Sequence, residues 1–159
     1  MIMSVVAYEG YCQAWFMYQE AENYFYGING REQSYEKSFK LYEKAAKSGC
    51  VLAENRLATC YEFGYGVTVS ERNAFKWHKR AARHGNPASQ GSLGFYYFKK
   101  SRYRMSDKWD LKAANNGNEH VINQMQQSFS RYSWGYNREN TYDSTGQEVD
   151  WYEMFMKFK

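Results

Sequence analysis

Proline is almost missing from these 159 residues, occurring only at Pro87, so little in the chain interrupts long helices. Cysteine is scarce too. Cys12, Cys50 and Cys60 are an odd number and cannot all pair within one chain, and no CxxC spacing or His/Cys cluster marks a metal site. Cys50 and Cys60 stand ten residues apart on what reads as one helix. That separates them by about 15 Å along its axis, too far for a disulfide. Buried, reduced thiols and a reducing compartment are expected. The first residues, Met1 to Glu9, hold no basic stretch and no apolar run long enough for a signal peptide or a membrane span. The cytoplasm is the expected location, with the periplasm as the alternative if an export signal has been removed.

Strong charge of either sign is also lacking. Twenty-one Lys and Arg against 17 Asp and Glu leave a net charge of +4, too mild for nucleic acid to be the expected partner. The densest basic run, Lys99, Lys100, Arg102 and Arg104, is interleaved with Tyr97, Phe98 and Tyr103. It reads as a solvated turn, with a phosphate-binding patch or an acidic protein partner as the alternatives. Three histidines, His78, His84 and His120, follow no catalytic spacing and read as solvated or capping groups. No Ser/His/Asp or Cys/His arrangement is legible, and surface pairs such as Glu43 with Lys47 account for much of the charge. The chain is therefore expected not to be an enzyme, and to need no cofactor or metal.

What is abundant is aromatic. Sixteen Tyr, 10 Phe and 5 Trp are spread along the whole length, so aromatics are expected to build the core, with tyrosine hydroxyls at its edge with solvent. With 43% hydrophobic and 24% charged residues, the composition fits one ordered domain over residues 1–159.

A repeat organises that domain. Lys-Ala-Ala-Lys-Ser-Gly ending at Gly49 returns as Arg-Ala-Ala-Arg-His-Gly ending at Gly85 and as Lys-Ala-Ala-Asn-Asn-Gly ending at Gly117, at spacings of 36 and 32 residues. Four residues before each first alanine stands Leu41, Trp77 or Trp109, on the same helix face as that alanine. The basic residues suit the negative end of a helix dipole and the glycine suits a left-handed stop, so each string reads as a helix end. A second helix follows each glycine, marked by Ala53, Leu57 and Tyr61, by Ser89, Leu93 and Tyr97, and by Val121, Met125 and Phe129. Small residues at Ala58 and Gly94 allow close helix packing. The Gly64-Tyr65-Gly66-Val67 segment closes a helix with no strand before it, which argues against a phosphate cradle.

These residues resemble the Sel-one-like repeat (SLR) family, short relatives of the tetratricopeptide repeat. Over residues 50–85 the matching positions are Ala53, Leu57, Tyr61, Gly64, Gly66, Val67, Ala74, Trp77, Ala81, Ala82 and Gly85. The copy over 14–49 keeps Tyr24, Gly27, Leu41, Ala45, Ala46 and Gly49 but has Glu20 where the family has leucine. The copy over 86–117 keeps Leu93, Gly94, Tyr97, Trp109, Ala113, Ala114 and Gly117 but lacks the Gly-x-Gly-Val loop, so a shorter connection is expected. A partial copy covers 118–132 and an irregular connection 133–146. A capping helix over 147–158 carries the stripe Val149, Tyr152, Phe155 and Met156, for which partner binding is the rival reading.

The resemblance implies an all-α, right-handed solenoid of about three to four helix pairs that works by binding another protein. If the first helix of each pair lines the inner surface, a turn of about 100° per residue places Asn55, Thr59 and Glu62 opposite the core face. The same offsets give Gly91, Phe95 and Phe98, then Asn123, Gln127 and Ser130. Phe95 and Phe98 are the expected anchors, since large aromatics off the core face suit an interface. Lys99 and Arg131 at the rim favour an acidic partner. An inhibitor or immunity-type protein that neutralises a cognate bacterial toxin or enzyme is the most concrete function this suggests. The alternative is an adaptor or chaperone for a signalling or envelope complex.

Overall fold

The computed structural model describes the backbone of residues 5–132 and the side chains of residues 13–127. Among the described residues seven helices follow in order: α1 (Val5–Tyr26), α2 (Tyr35–Lys47), α3 (Val51–Phe63), α4 (Glu71–Arg83), α5 (Pro87–Lys99), α6 (Tyr103–Asn115) and α7 (Glu119–Tyr132). No strand occurs among the described residues. Helices α1 with α2, α3 with α4 and α5 with α6 pack as hairpins, and each hairpin packs chiefly on its neighbour through α2–α3, α4–α5 and α6–α7. The fold is an all-α solenoid. The expected connection at 133–146, the helix at 147–158 with Val149, Tyr152, Phe155 and Met156, and the side chains of Cys12, Phe129, Ser130 and Arg131 lie outside the described residues.

Local chemistry explains the boundaries. Ser34 and Ser70 cap α2 and α4, each hydroxyl accepting from a backbone N–H of the first turn, Lys37 and Asn73 respectively. Glu36 and Glu71 add negative charge at those ends, while Lys44, Lys47, Arg80 and Arg83 sit in the last turns. Asn86 caps α5 with Oδ1 2.8 Å from the Ser89 N–H, and Pro87 fills the first helical position, where its missing N–H costs nothing. The three stop glycines, Gly49, Gly85 and Gly117, have φ of +89°, +89° and +82°. Between α5 and α6 the connection is a short exposed turn through Lys100, Ser101 and Arg102, as the four-residue deletion requires.

The seam between helices is made of small residues. Ala45, Ala46, Ala53, Leu57, Ala58, Ala81, Ala82, Ala113 and Ala114 are all buried, and aromatics such as Phe25, Phe39, Tyr61 and Tyr65 wrap the first two hairpins from the side. Alanine rows let helix backbones approach closely, and the flanking rings supply the apolar area. Gly94 takes this to its limit, because a Cβ there would lie 1.8 Å from Asp110 Oδ1.

The innermost row of the seam lies one residue further along. Leu41, Trp77 and Trp109 are only partly buried, whereas Tyr42 and His78 beside them are buried in the seam and Asp110 occupies the third equivalent place. Both alanines of each string face the partner helix, and the second one selects the residue four before it for the inner row.

Buried charge is matched in the first two hairpins. Glu22 accepts a hydrogen bond from the Tyr42 hydroxyl and pairs with Arg56 at 2.9 Å. Glu54, fully buried, holds Arg80 at 2.6 Å and His84 at 2.8 Å. Cys50 and Cys60 are buried free thiols, and burial pushes Cys60 up to about 12, which leaves it inert near neutral pH. Among the described residues, no helix is long and apolar enough to cross a membrane.

Candidate functional site

A groove of about 720 Å³ runs along α5, between the α3–α4 hairpin and α7. Its position follows from the stacking: α5 presents Gly91, Phe95 and Phe98 on its open face, and neighbouring hairpins wall that face on both sides. Glu62, Phe75 and His78 come from one side and Val121 and Gln124 from the other, with Ser106 and Asp110 of α6 also lining it.

Five residues nominated from helix geometry meet here: Glu62, Gly91, Phe95, Phe98 and Lys99. Phe95 and Phe98 are 60% and 57% exposed, too much for core residues, while Lys99 Nζ lies 5.6 Å from the centre of the Phe95 ring. The others go elsewhere. Asn55 is half-buried and accepts a hydrogen bond from the Ser89 hydroxyl at 2.7 Å, so it ties one hairpin to the next. Thr59 turns its hydroxyl back to the Asn55 carbonyl at 3.1 Å. Asn123 and Gln127 are exposed on α7 without lining the groove. For Arg131 only the helical backbone is described.

Helix geometry missed His78, Ser89 and Asp110. His78 is not a solvated or capping group; it is 6% exposed, with Nδ1 3.2 Å from Ser89 Oγ and Nε2 3.4 Å from Glu62 Oε2. Glu62 is held below the usual carboxylate range, first by the hydrogen bond with His78 and then by the charges of His78 and Lys99. A usable signal existed: His78 and Asp110 stand where the first copy has Tyr42, and a polar group in a packed seam calls for a partner.

Serine, histidine and carboxylate in a row invite comparison with a hydrolase, and the geometry argues against it. Ser89 is fully buried, so no substrate carbonyl can reach it. Its hydroxyl proton is directed at Asn55 Oδ1, whereas a nucleophilic serine must give that proton to the imidazole. The chain Asn55–Ser89–His78–Glu62 is a polar brace between the second and third hairpins.

Asp110 behaves differently. Burial pushes its carboxyl up to about 6, the Ser106 hydroxyl at 3.3 Å opposes that, and Asp107 adds to it. Because the folded pKa lies above the ordinary 3.8, the charged carboxylate destabilises the fold fully above about pH 6, and the effect fades as pH falls towards 3.8. Asp110→Asn should raise stability at neutral pH by about 1 kcal/mol, after allowance for solvent screening at this half-buried position. Chemical denaturation at pH 7.5 and pH 4 should show the gain at the higher pH alone.

Comparison with known proteins places this architecture. The Sel1 repeat pattern matches residues 16–50 and 51–86. Chitin synthase regulatory factor 2 of Schizosaccharomyces pombe is 34% identical over 82 residues, covering 51% of this chain and 16% of that protein. Chitin synthase regulator SKT5 of Saccharomyces cerevisiae is 31% identical over 119 residues, 70% of this chain and 17% of that one. Among solved structures, c5321, a protective antigen of uropathogenic Escherichia coli with an SLR fold, superposes with a TM-score of 0.68 at 34% identity. The match covers 74% of this chain and 26% of that one. This chain thus spans about a sixth of the length of the two yeast regulators.

Proposed function

Because this chain is a Sel1-like repeat protein, we propose that it is a non-catalytic module whose groove along α5 holds a segment of one partner protein. The observation that carries this reading is the pair Phe95 and Phe98, more than half exposed on a surface that stacked hairpins wall on both sides. Exposed rings in a concave, partly dry setting are the usual anchors of protein interfaces. Repeat proteins of this class use such extended inner surfaces for recognition.

Two roles fit a binding module. An adaptor or regulatory role is supported by the yeast relatives, whose names describe regulators of chitin synthase. An inhibitor that neutralises a cognate toxin or enzyme is the second, supported by a groove among the described residues large enough for one protein segment. Capture of several unrelated proteins would favour the adaptor, and a single toxin or enzyme held in one-to-one complex would favour the inhibitor.

The test is direct. Phe95→Ala/Phe98→Ala should keep the circular dichroism spectrum, since both rings are exposed. It should weaken binding to a partner recovered by affinity purification by about tenfold to a hundredfold. Unchanged affinity in a correctly folded double variant rejects the groove as the binding surface.

A further inference from the structure

The third hairpin repeats the geometry of the second but leaves one polar group uncompensated. In the second hairpin, His78 bonds to Glu62 and Ser89, and Ser89 bonds on to Asn55. The repeat register carries His78, Glu62, Ser89 and Asn55 to Asp110, Phe98, Val121 and Gly91. A carboxylate has replaced the imidazole, while each of its former partners has become apolar or glycine. Asp110 retains the Ser106 hydroxyl at 3.3 Å, and among the described residues no cation pairs with it. Glu22, partly buried, and Glu54, fully buried, in the earlier hairpins both have arginine partners.

Asp110 also lines the groove, and the groove's charge points the same way. Its lining carries three carboxylates, Glu62, Glu71 and Asp110, against one lysine, Lys99, beside His78 and His120. Glu71 lies 3.7 Å from the Lys100 ammonium and Glu62 3.4 Å from the His78 ring, so among the described residues Asp110 is the lining carboxylate with no basic partner. An acidic partner, which Lys99 and Arg131 suggested from sequence, would bring like charge towards Asp110.

We propose that Asp110 is the recognition point for a basic side chain, a lysine or arginine on an otherwise apolar segment of a partner protein, which enters beside Phe95 and Phe98. The carboxylate supplies the missing half of an ion pair, and the exposed rings take the flanking apolar residues. An ion pair formed in this half-enclosed setting discriminates more strongly by charge than one on open surface. The uncompensated carboxylate is retained at a cost in stability, as binding sites commonly are. The inference rests on the groove being a protein-binding surface.

The experiment is a titration of the isotope-labelled chain, followed by amide shifts in nuclear magnetic resonance. The probes are the peptides acetyl-Leu-Arg-Leu-amide, its neutral citrulline counterpart and its glutamate counterpart. The arginine peptide should shift the amides of Gly91, Gly94, Phe95 and Asp110, and should bind about fivefold or more tightly than the citrulline peptide. Asp110→Asn should abolish that preference while leaving the fold intact. Equal binding of arginine and citrulline peptides, preference for glutamate, absence of groove shifts at millimolar arginine peptide, or an undiminished preference in Asp110→Asn would each overturn it. Failure of the groove reading itself looks different. If Phe95→Ala/Phe98→Ala weakens all peptides while Asp110→Asn changes nothing, the groove stands and the charge recognition falls; if the double variant leaves a purified partner's affinity unchanged, the groove falls as well.

Discussion

Gly66→Ala should lower the stability of the fold by about 3 kcal/mol or more, seen as a fall in the urea midpoint with little change in slope. Gly66 sits in the loop between α3 and α4 with φ +69°, where a side chain is already unfavourable. The larger obstacle is the neighbour. A Cβ at this position would lie 2.2 Å from the Tyr35 carbonyl oxygen, 2.4 Å from its carbon and 2.7 Å from the Glu36 nitrogen. Those are backbone atoms of the first turn of α2 and cannot swing aside as the end of a long side chain can. The loop of the second hairpin is therefore seated directly on the helix start of the first. Gly30→Ala is the control: its φ is +76° but nothing lies within 4 Å of the added carbon. Only the conformational cost should remain there, about 1–2 kcal/mol.

Arg80→Ala should cost about 3 kcal/mol in thermal or chemical unfolding, a large effect for a side chain that is 44% exposed. The reason lies on the other side of the pair. Glu54 has no exposure of its own, and removing the guanidinium 2.6 Å away leaves its carboxylate with His84 alone. Arg80 also lies over the Trp77 ring at 5.3 Å, so some packing is lost with the charge. Exchanging both partners for apolar residues of similar volume, Glu54→Met with Arg80→Met, should recover most of the loss. A buried pair often contributes little beyond its own desolvation, and the damage comes from leaving one half behind. The third hairpin already shows a neutral form of this clamp: Gln90, in the register of Glu54, accepts from Asn116 Nδ2 at 2.8 Å, and Asn116 takes the place of His84.

The helices were legible because their signals are local. An alanine pair followed by a glycine a few residues on specifies a helix end from consecutive residues, and the apolar spacing of four beyond each glycine marks the next helix. Phe95 and Phe98 were legible for a related reason, since a rotation per residue is enough to place them off the core face. The partners of polar groups were not. Whether Asn55 points to solvent or to Ser89 depends on a helix 34 residues later in the chain, and helix periodicity is silent about that. Choosing between Leu41 and Tyr42, or between Trp77 and His78, for the inner row likewise needed the crossing of two helices. The row is narrow, and the seam accepts a hydrogen-bonded imidazole more readily than a bulky indole.

Among the described residues each hairpin leans mainly on those beside it, and the contacts run from neighbour to neighbour along the stack. Small tilts at successive joints therefore add up, and the assembly has the elasticity of a short spring. The walls of the cleft along α5 belong to successive joints of that kind. A guest of the sort proposed above would therefore draw them together by changing the tilt between neighbouring hairpins, and a substitution at one of those joints should weaken its binding without touching it.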